Sequence, residues 1–430
     1  MQFLFKNNLE VLRMIFKEQT KSVPITKEMV WESYKRVKSK GGSAGIDQQS
    51  LSEFDRVRSK ELYKLWNRLA SGSYFAPAIK RVTIPKAGGK TRPLGVPTVS
   101  DRIAQQVVKT YVEPRLESVF VDNSYGYRPN KNAHSAIEKV QQNVRKFSWV
   151  IDLDIQEFFE NVRHELLMKA LERHVSEKWV LMYIKRWLEA PVLLEDGTVK
   201  VSTGKGTPQG GVISPLLANL YMHYCVDRWL EKFHPSVIMV RYADDLIIHC
   251  SSYQEAVGTL TNLKDRLEKC GLRAHPEKTK IVYCKKEGRN LNDHPVQFDF
   301  LGFSFQPMRN KLRNGGSFLQ FDCKMSRKSK VRINGELRKL NFHNKTQRGI
   351  QDLAITLNPK IRGWVNYYGK ISRRSLKPVF YYLHHRMIRW ILNKYKSFKG
   401  SKVKAVKWLR QVTVSYPNLF YHWELGYKLV

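Results

Sequence analysis

The sequence has few cysteines, and this scarcity excludes several kinds of protein. Its five cysteines are never closer than 14 positions apart, so there is no CxxC pair for a zinc ribbon or a zinc-bound nuclease module. A sparse, odd-numbered set in a chain of 430 residues also argues against a disulfide framework. A reducing compartment suits such a chain, and we expect a cytoplasmic protein.

Long apolar runs are also absent. A membrane-spanning helix needs about 18 or more consecutive apolar residues, and no segment has them. The amino-terminal segment, residues 1–21, is apolar but is interrupted by charges at Lys6, Glu10, Arg13 and Lys17. That pattern is typical of an amphipathic helix and not of a signal peptide. We expect no membrane partner.

Acidic residues are scarce relative to basic ones. The chain has 75 Lys and Arg against 38 Asp and Glu, a net charge of +37. Residues 301–430 contain 28 basic and 4 acidic side chains, so most of the excess lies in the last third. Such an excess repels itself and indicates a polyanionic partner, which makes this region the best candidate for a nucleic-acid-binding surface.

Acidic side chains are grouped at two places in the middle of the chain. Asp244 and Asp245 separate two apolar runs, which predicts a hairpin with both carboxylates in its turn. Asp152 and Asp154 alternate with apolar residues, so they share one face of a predicted strand. A solvated turn is the ordinary alternative for a lone Asp pair. If the two elements are neighbours, the carboxylates converge as hard oxygen ligands suited to Mg²⁺.

Periodicity predicts a mixed α/β body of about 300 residues followed by a basic helical region. Turn residues at 85–97 predict a hairpin after a strand at 79–84, and residues 298–305 predict another strand. Asn358 and Pro359 predict an N-cap and the first residue of a new helix, so that one helix should end before them. Helical spacing is found at residues 27–40, 53–70, 100–118, 254–270, 378–397 and 402–412.

The order of several motifs resembles that of the reverse transcriptases. These motifs are DLDIQEFF, GTPQGGVISPLLANLY, RYADD, GLRAHPEKTK and FDFLGFSF. The upstream segments GGSAGID, IPKAGGKTRPLGVPTVSDRIAQQ and SYGYRPNKNAHSAI resemble the group II intron-encoded subfamily, and NPKIRGWVNYYGK and YPNLFYHWELGY resemble its maturase, or X, domain. With no CxxC pair, the chain is most similar to the short members that lack the carboxy-terminal endonuclease domain.

The resemblance implies an α/β right-hand polymerase, with fingers and an antiparallel palm sheet, followed by an all-α basic thumb and maturase domain. The implied boundaries are an amino-terminal extension at 1–26, fingers at 27–150, a palm at 151–306, and the thumb and maturase domain at 307–430.

It also implies roles for individual residues. Asp154, Asp244 and Asp245 match the catalytic aspartates, and two Mg²⁺ ions, with Mn²⁺ able to substitute, are implied at these three residues and Ile155. Lys278 matches a lysine that protonates pyrophosphate.

Four further residues are implied to contact the incoming dNTP. Lys86 and Arg92 would reach its triphosphate, Gln209 would lie against the nucleotide, and Phe159 would exclude a 2′-hydroxyl from the sugar.

The function implied is RNA-directed DNA synthesis, together with maturase binding of a structured intron RNA that assists splicing and retrohoming. The partners are that RNA, an RNA template, a DNA primer or target, and dNTPs. Two alternatives stay open: a domesticated enzyme in defence or DNA repair, and a non-catalytic RNA-binding splicing factor. The intact Asp154, Asp244 and Asp245 argue against the latter. An RNA-making polymerase is disfavoured by Phe159.

Overall fold

The computed structural model describes residues 23–85, 91–285, 293–311 and 315–428. The predicted amino-terminal helix, residues 1–21, and Lys86 lie outside these residues. The described chain forms two compact units. The first contains the described residues up to Asn132, with Leu153–Ile248 and Gln254–Thr279, and the second contains Ala133–Asp152, His249–Tyr253 and the described residues from Lys280 onward. The four domain boundaries implied by the resemblance stay a prediction.

The first unit is built mainly from helices that follow the predicted periodicity. The predicted helix over 53–70 is two helices, because Val57 interrupts it with a non-helical backbone. The helices are α1 (Lys27–Lys40), α2 (Leu51–Arg56), α3 (Arg58–Ala70), α4 (Val99–Glu117), α6 (Phe158–Asn161), α7 (His164–Glu172), α8 (Lys178–Leu188), α9 (Ser214–Met222), α10 (Arg228–Phe233) and α11 (Tyr253–Lys269), while α5 belongs to the second unit.

Side-chain caps fix where several of these helices begin. Thr26 accepts a hydrogen bond from the Met29 amide at the start of α1. Ser50 and Glu53 form a reciprocal capping box at the start of α2. Such caps satisfy amides that have no partner inside the helix and typically contribute about 1 kcal/mol each.

Two groups of strands in the first unit position the candidate site. Strands β1 (Ile79–Pro85) and β2 (Thr91–Val96) form the predicted antiparallel hairpin. On its other side β1 pairs parallel with the short strand β4 (Val192–Leu193), which pairs antiparallel with β5 (Val199–Lys200). In the other group, β6 (Ile238–Tyr242) is the neighbour of β7 (Asp245–Cys250), and β7 is the neighbour of β3 (Trp149–Asp154).

The second unit contains the beginning of β3, which pairs antiparallel with β8 (Lys280–Tyr283). A separate antiparallel sheet consists of β9 (Phe298–Phe300), β10 (Phe303–Lys311) and β11 (Ser317–Met325), so the single strand predicted at 298–305 is a tight hairpin turning at Leu301 and Gly302. The helices are α5 (Ala133–Lys146), α12 (Arg327–Lys339), α13 (Ile350–Trp364), α14 (Lys377–Lys394), α15 (Lys402–Ser415) and α16 (Tyr421–Glu424).

The predicted break at Pro359 is wrong. Helix α13 continues through the proline to Trp364. The missing amide hydrogen of Pro359 leaves the carbonyl of Ile355 without its helical partner, but Ile355 is 73% exposed, so water can reach that face. The Asn358 side chain does not cap a new helix at Pro359, since it donates to the Leu419 carbonyl (3.0 Å) and accepts from the Tyr421 amide (3.0 Å). It ties α13 to the start of α16.

Within the part of the chain that the structure describes, no helix combines the length and the apolar character needed to cross a bilayer.

Candidate active site

The paired carboxylates lie in the turn between β6 and β7. Ala243, just before them, has a left-handed backbone (φ +57°), which an alanine adopts only when its surroundings hold it there. Asp244 is half-buried and Asp245 is exposed to solvent over more than a third of its surface. The turn therefore presents two adjacent carboxylates at the end of a buried hairpin, as the sequence predicted.

Asp154 is the last residue of β3, and its partners come from the segment that follows α11. The His275 amide donates to the Asp154 carbonyl (2.7 Å), and Ile155, which is buried, bridges to Ala274. This pairing carries Lys278 back to the strand end, where its ammonium nitrogen lies 2.6 Å from Asp154 Oδ2. Two predicted residues, 124 positions apart, are thus an ion pair.

The three predicted carboxylates share one electrostatic environment. The pKa of Asp245 is raised to about 7, first by desolvation and then by the negative charges of Asp244 and Asp154, while Lys278 opposes the rise. Adjacent carboxylates repel one another unless a cation neutralises them. The cluster therefore carries more negative charge than one lysine balances, which is the condition under which a divalent cation binds.

As it stands, the described part of the chain has no three ligating side chains grouped closely enough to hold a metal ion. In this arrangement the carboxylate of Asp154 is paired with the Lys278 ammonium. The donor set nonetheless fits a hard divalent ion, because it consists of carboxylate oxygens and the repulsion acting on Asp245 would be relieved by positive charge.

The GTPQGG loop lies between the β1–β2 hairpin and α6. The Gly95 amide donates to the Gln209 carbonyl (2.6 Å), and the Thr207 amide donates to the Phe159 carbonyl (2.7 Å). Gly210 has a φ of +114°, and a Cβ there would lie 2.3 Å from the Gly95 carbonyl oxygen, so no other residue fits so close to the hairpin.

Arg92 and Gln209, predicted to bind the nucleotide, are brought together. Arg92 Nε donates to Gln209 Oε1 at 2.7 Å. Arg92 is exposed and its side chain extends from the second strand of the hairpin. Lys86 lies outside the described residues, so its predicted role stays a prediction.

Beside this loop lies a cavity of about 300 Å³ that Phe159 and Gln209 line. Phe159 is 7% exposed and packs edge-on against Phe158, with ring centroids 5.2 Å apart. Phe158 is 2% exposed and does not line the cavity, so only the second ring of the pair can contact a ligand in it.

Sequence reasoning missed a buried anchor of the same loop. Gln105 accepts hydrogen bonds from the Val212 (2.7 Å) and Ile213 (3.3 Å) amides and donates to Asp101 (2.9 Å). Asp101 is held in turn by Tyr74 and Trp187. The sequence signal for this anchor was the presence of polar residues inside the otherwise apolar helix α4. Arg241, a charge within the apolar strand β6, is a second missed residue.

Family comparisons agree with this geometry. The model for the reverse transcriptase (RNA-dependent DNA polymerase) family matches residues 84–305, about half of the chain. The model for the group II intron maturase-specific domain matches residues 331–408. The chain belongs to the group II intron reverse transcriptase family. The predicted family and the predicted fold, a polymerase body followed by helices, are confirmed, and this reverse transcriptase is an enzyme of the RNA-directed DNA polymerase class.

Individual relatives match about half of the chain or somewhat more. Protein YkfC of Escherichia coli is 32% identical over 289 residues, which are 57% of this reverse transcriptase and 74% of YkfC. The group II intron-encoded protein LtrA of Lactococcus lactis is 28% identical over 61% of this chain but only 42% of LtrA. The putative COX1/OXI3 intron 1 protein of Saccharomyces cerevisiae is 32% identical over 48% of this chain and 24% of its own length.

A solved telomerase structure from Candida albicans aligns over 88% of this chain and 68% of that one, with a TM-score of 0.45 and 12% identity. An alignment that weak adds nothing to the family assignment.

Proposed function

We propose that this protein copies RNA into complementary DNA by joining dNTPs to a primer 3′-hydroxyl at the turn after β6. The observation that carries the proposal is that Asp244 and Asp154 both repel the charge of Asp245, whose pKa is raised to about 7 first by desolvation and then by this repulsion. A chain that used these residues only for folding would gain nothing from that repulsion.

Mg²⁺ would be held by the carboxylates of Asp154, Asp244 and Asp245 and by the main chain at Ile155, with Mn²⁺ able to substitute. When two ions are bound, they supply activation of the attacking hydroxyl and stabilisation of the departing pyrophosphate. The carboxylates contribute the charge that draws the ions in and the fixed turn that keeps them in place.

Lys278 would act after its ammonium has released Asp154. The ion pair is exposed, with 58% of the Lys278 side chain accessible, so breaking it costs about 0–1 kcal/mol. A lysine freed this close to Asp154 could donate a proton to the leaving pyrophosphate, which is general acid catalysis.

The incoming dNTP would bind beside the GTPQGG loop, next to the Phe159 and Gln209 side chains that line the cavity. Arg92 would turn its planar fork from Gln209 to the triphosphate, and Lys86 would add a point charge. Gln209 would then lie against the nucleotide, and the ring of Phe159 would fill the space that a 2′-hydroxyl needs.

The helical second unit would bind structured intron RNA and assist its splicing and mobility. Its support is the match to the maturase-specific domain at residues 331–408 and the strong basic excess after residue 301. Such binding depends on backbone charge and RNA shape, so the RNA itself would perform the splicing chemistry.

Primer extension tests the proposal. The purified chain is given an RNA template, a DNA primer, dNTPs and Mg²⁺, with matched reactions containing EDTA or rNTPs. We expect extension only with dNTPs and a divalent ion. Extension that persists in EDTA, or no extension under any condition while RNA binding is intact, would contradict it, and the second result would favour a non-catalytic splicing factor.

A further inference from the structure

A buried arginine lies directly before the candidate catalytic turn. Arg241, the fourth residue of β6, is 0% exposed. A buried guanidinium is costly unless its donors are all engaged, so its partners indicate what it is there to hold.

Its partners fall into two groups. Asp227 takes two of its donors, from Nε at 2.8 Å and from Nη2 at 2.5 Å, in a bidentate pair that is itself fully buried. Nη1 donates to the Asn219 side chain (2.9 Å) and to the carbonyl of Ala243 (3.1 Å). The last bond is the informative one, because Ala243 is the left-handed residue that immediately precedes Asp244.

The segment around Gly126 supports the same turn from the other side. The Tyr125 amide donates to the Arg241 carbonyl (2.8 Å), and Asn219 donates to the Gly126 carbonyl (2.7 Å). A Cβ on Gly126 would lie 2.4 Å from the Ala243 nitrogen, so the glycine allows the two backbones to touch. The SYGY motif therefore packs directly on the turn.

We propose that Arg241 is a positioning residue for DNA synthesis. Anchored by Asp227 and Asn219, its guanidinium holds the Ala243 carbonyl, and with Gly126 it keeps the left-handed backbone that presents Asp244 and Asp245. The proposal rests on the polymerase function proposed above. It assigns one shared task to the separate motifs SYGY, LLANLY and RYADD.

A fold-stabilising role alone predicts different results from a positioning role. Arg241→Lys keeps the charge opposite Asp227, but one ammonium cannot serve Asp227, Asn219 and Ala243 together. The double variant Arg241→Met with Asp227→Leu removes both charges, and such apolar replacements of buried pairs are often neutral for stability. Tyr183→Phe is the matched control, because it removes a buried hydrogen bond to the Leu69 carbonyl in the same unit, away from the turn.

Two readouts are measured on each variant: the kcat and KM for dNTP in primer extension, and amide hydrogen exchange of the peptide covering residues 238–248. We expect kcat to fall by at least about tenfold in Arg241→Lys and in the double variant, since misplacing reacting groups by about 1 Å can cost a hundredfold. KM should change less than threefold, exchange at the turn should quicken, and Tyr183→Phe should change neither readout.

Gly126→Ala gives a second test if the double variant does not fold, with the same kcat and exchange effects expected. The proposal would be overturned if Arg241→Lys, and whichever of the other two variants folds, left both kcat and the hydrogen exchange of the turn unchanged. A wild-type protein that does not extend primers at all would instead refute the polymerase function, and the exchange measurement would still decide whether Arg241 holds the turn.

Discussion

Replacing Asp245 with asparagine is expected to stabilise the protein while abolishing its polymerase activity. The raised pKa of Asp245 means that the folded protein disfavours its charged form, because desolvation and the charges of Asp244 and Asp154 act against it. Asparagine has nearly the same shape and no charge, so it removes the repulsion together with the metal ligand.

The size of the effect follows from the shift. A pKa raised from 3.8 to about 7 means that the folded state binds more protons than the unfolded state between these values. The free energy of unfolding of the wild-type protein therefore falls as the pH rises between these two pKa values, and it has fallen by its full amount above the higher one. Three pKa units correspond to about 4 kcal/mol, but Asp245 is more than a third exposed, and solvent screening reduces this to about 1 kcal/mol.

Thermal melting in EDTA from pH 4 to pH 8 measures the difference. We expect Asp245→Asn to melt roughly 2 °C above wild type at pH 8 and level with it at pH 4. Added Mg²⁺ should raise the wild-type melting temperature and narrow the gap, since a ligand stabilises the state that binds it. The control is Asp265→Asn, on an exposed face of α11. A variant less stable than wild type at pH 8, or an equal gain in the control, would show that the charge of Asp245 does not destabilise the folded protein.

Three further changes test other parts of the site and the basic region. Phe159→Val should raise the ratio of rNTP to dNTP use in single-nucleotide extension by at least about tenfold, equal to roughly 1.4 kcal/mol. An unchanged ratio together with a large drop in melting temperature would show that the ring serves only the hydrophobic core. Arg92→Lys keeps the charge but loses the planar fork, so the KM for dNTP should rise about tenfold, and an unchanged KM would remove Arg92 from the triphosphate site. RNA affinity should fall roughly a thousandfold between 50 and 200 mM salt if about six phosphates are contacted. It should also fall when residues 324–410 lose charge. A slope near zero in a plot of log affinity against log salt concentration would contradict a charge-driven interaction.

The hairpin and strand that carry the carboxylates were predictable because local signals agreed. Apolar runs around Asp244 and Asp245 fixed β6 and β7, and the alternation at Asp152 and Asp154 fixed β3. Their proximity was inferred from the motif order and not from periodicity, since sequence spacing does not state which strands are neighbours.

The failures come from contacts made far along the chain. Asn358 does not cap a new helix at Pro359 because its side chain is engaged by Leu419 and Tyr421, some sixty residues away. Arg241 was overlooked because its partner Asp227 lies in an irregular helical turn, and no local pattern pairs the two. The Asp154 to Lys278 ion pair likewise required the β3 end and residues 273–278 to be aligned in space.

Primer extension and RNA binding by Asp244→Ala, measured on one preparation, test whether DNA synthesis takes place at the turn after β6. We expect dNTP incorporation on an RNA template to be abolished, because the carboxylate cluster loses a ligand for the metal ions. RNA affinity should stay within about twofold of wild type, since binding depends on phosphate contacts made by basic residues and not on this carboxylate. Full incorporation by the variant would contradict the assignment of the active site to the turn after β6.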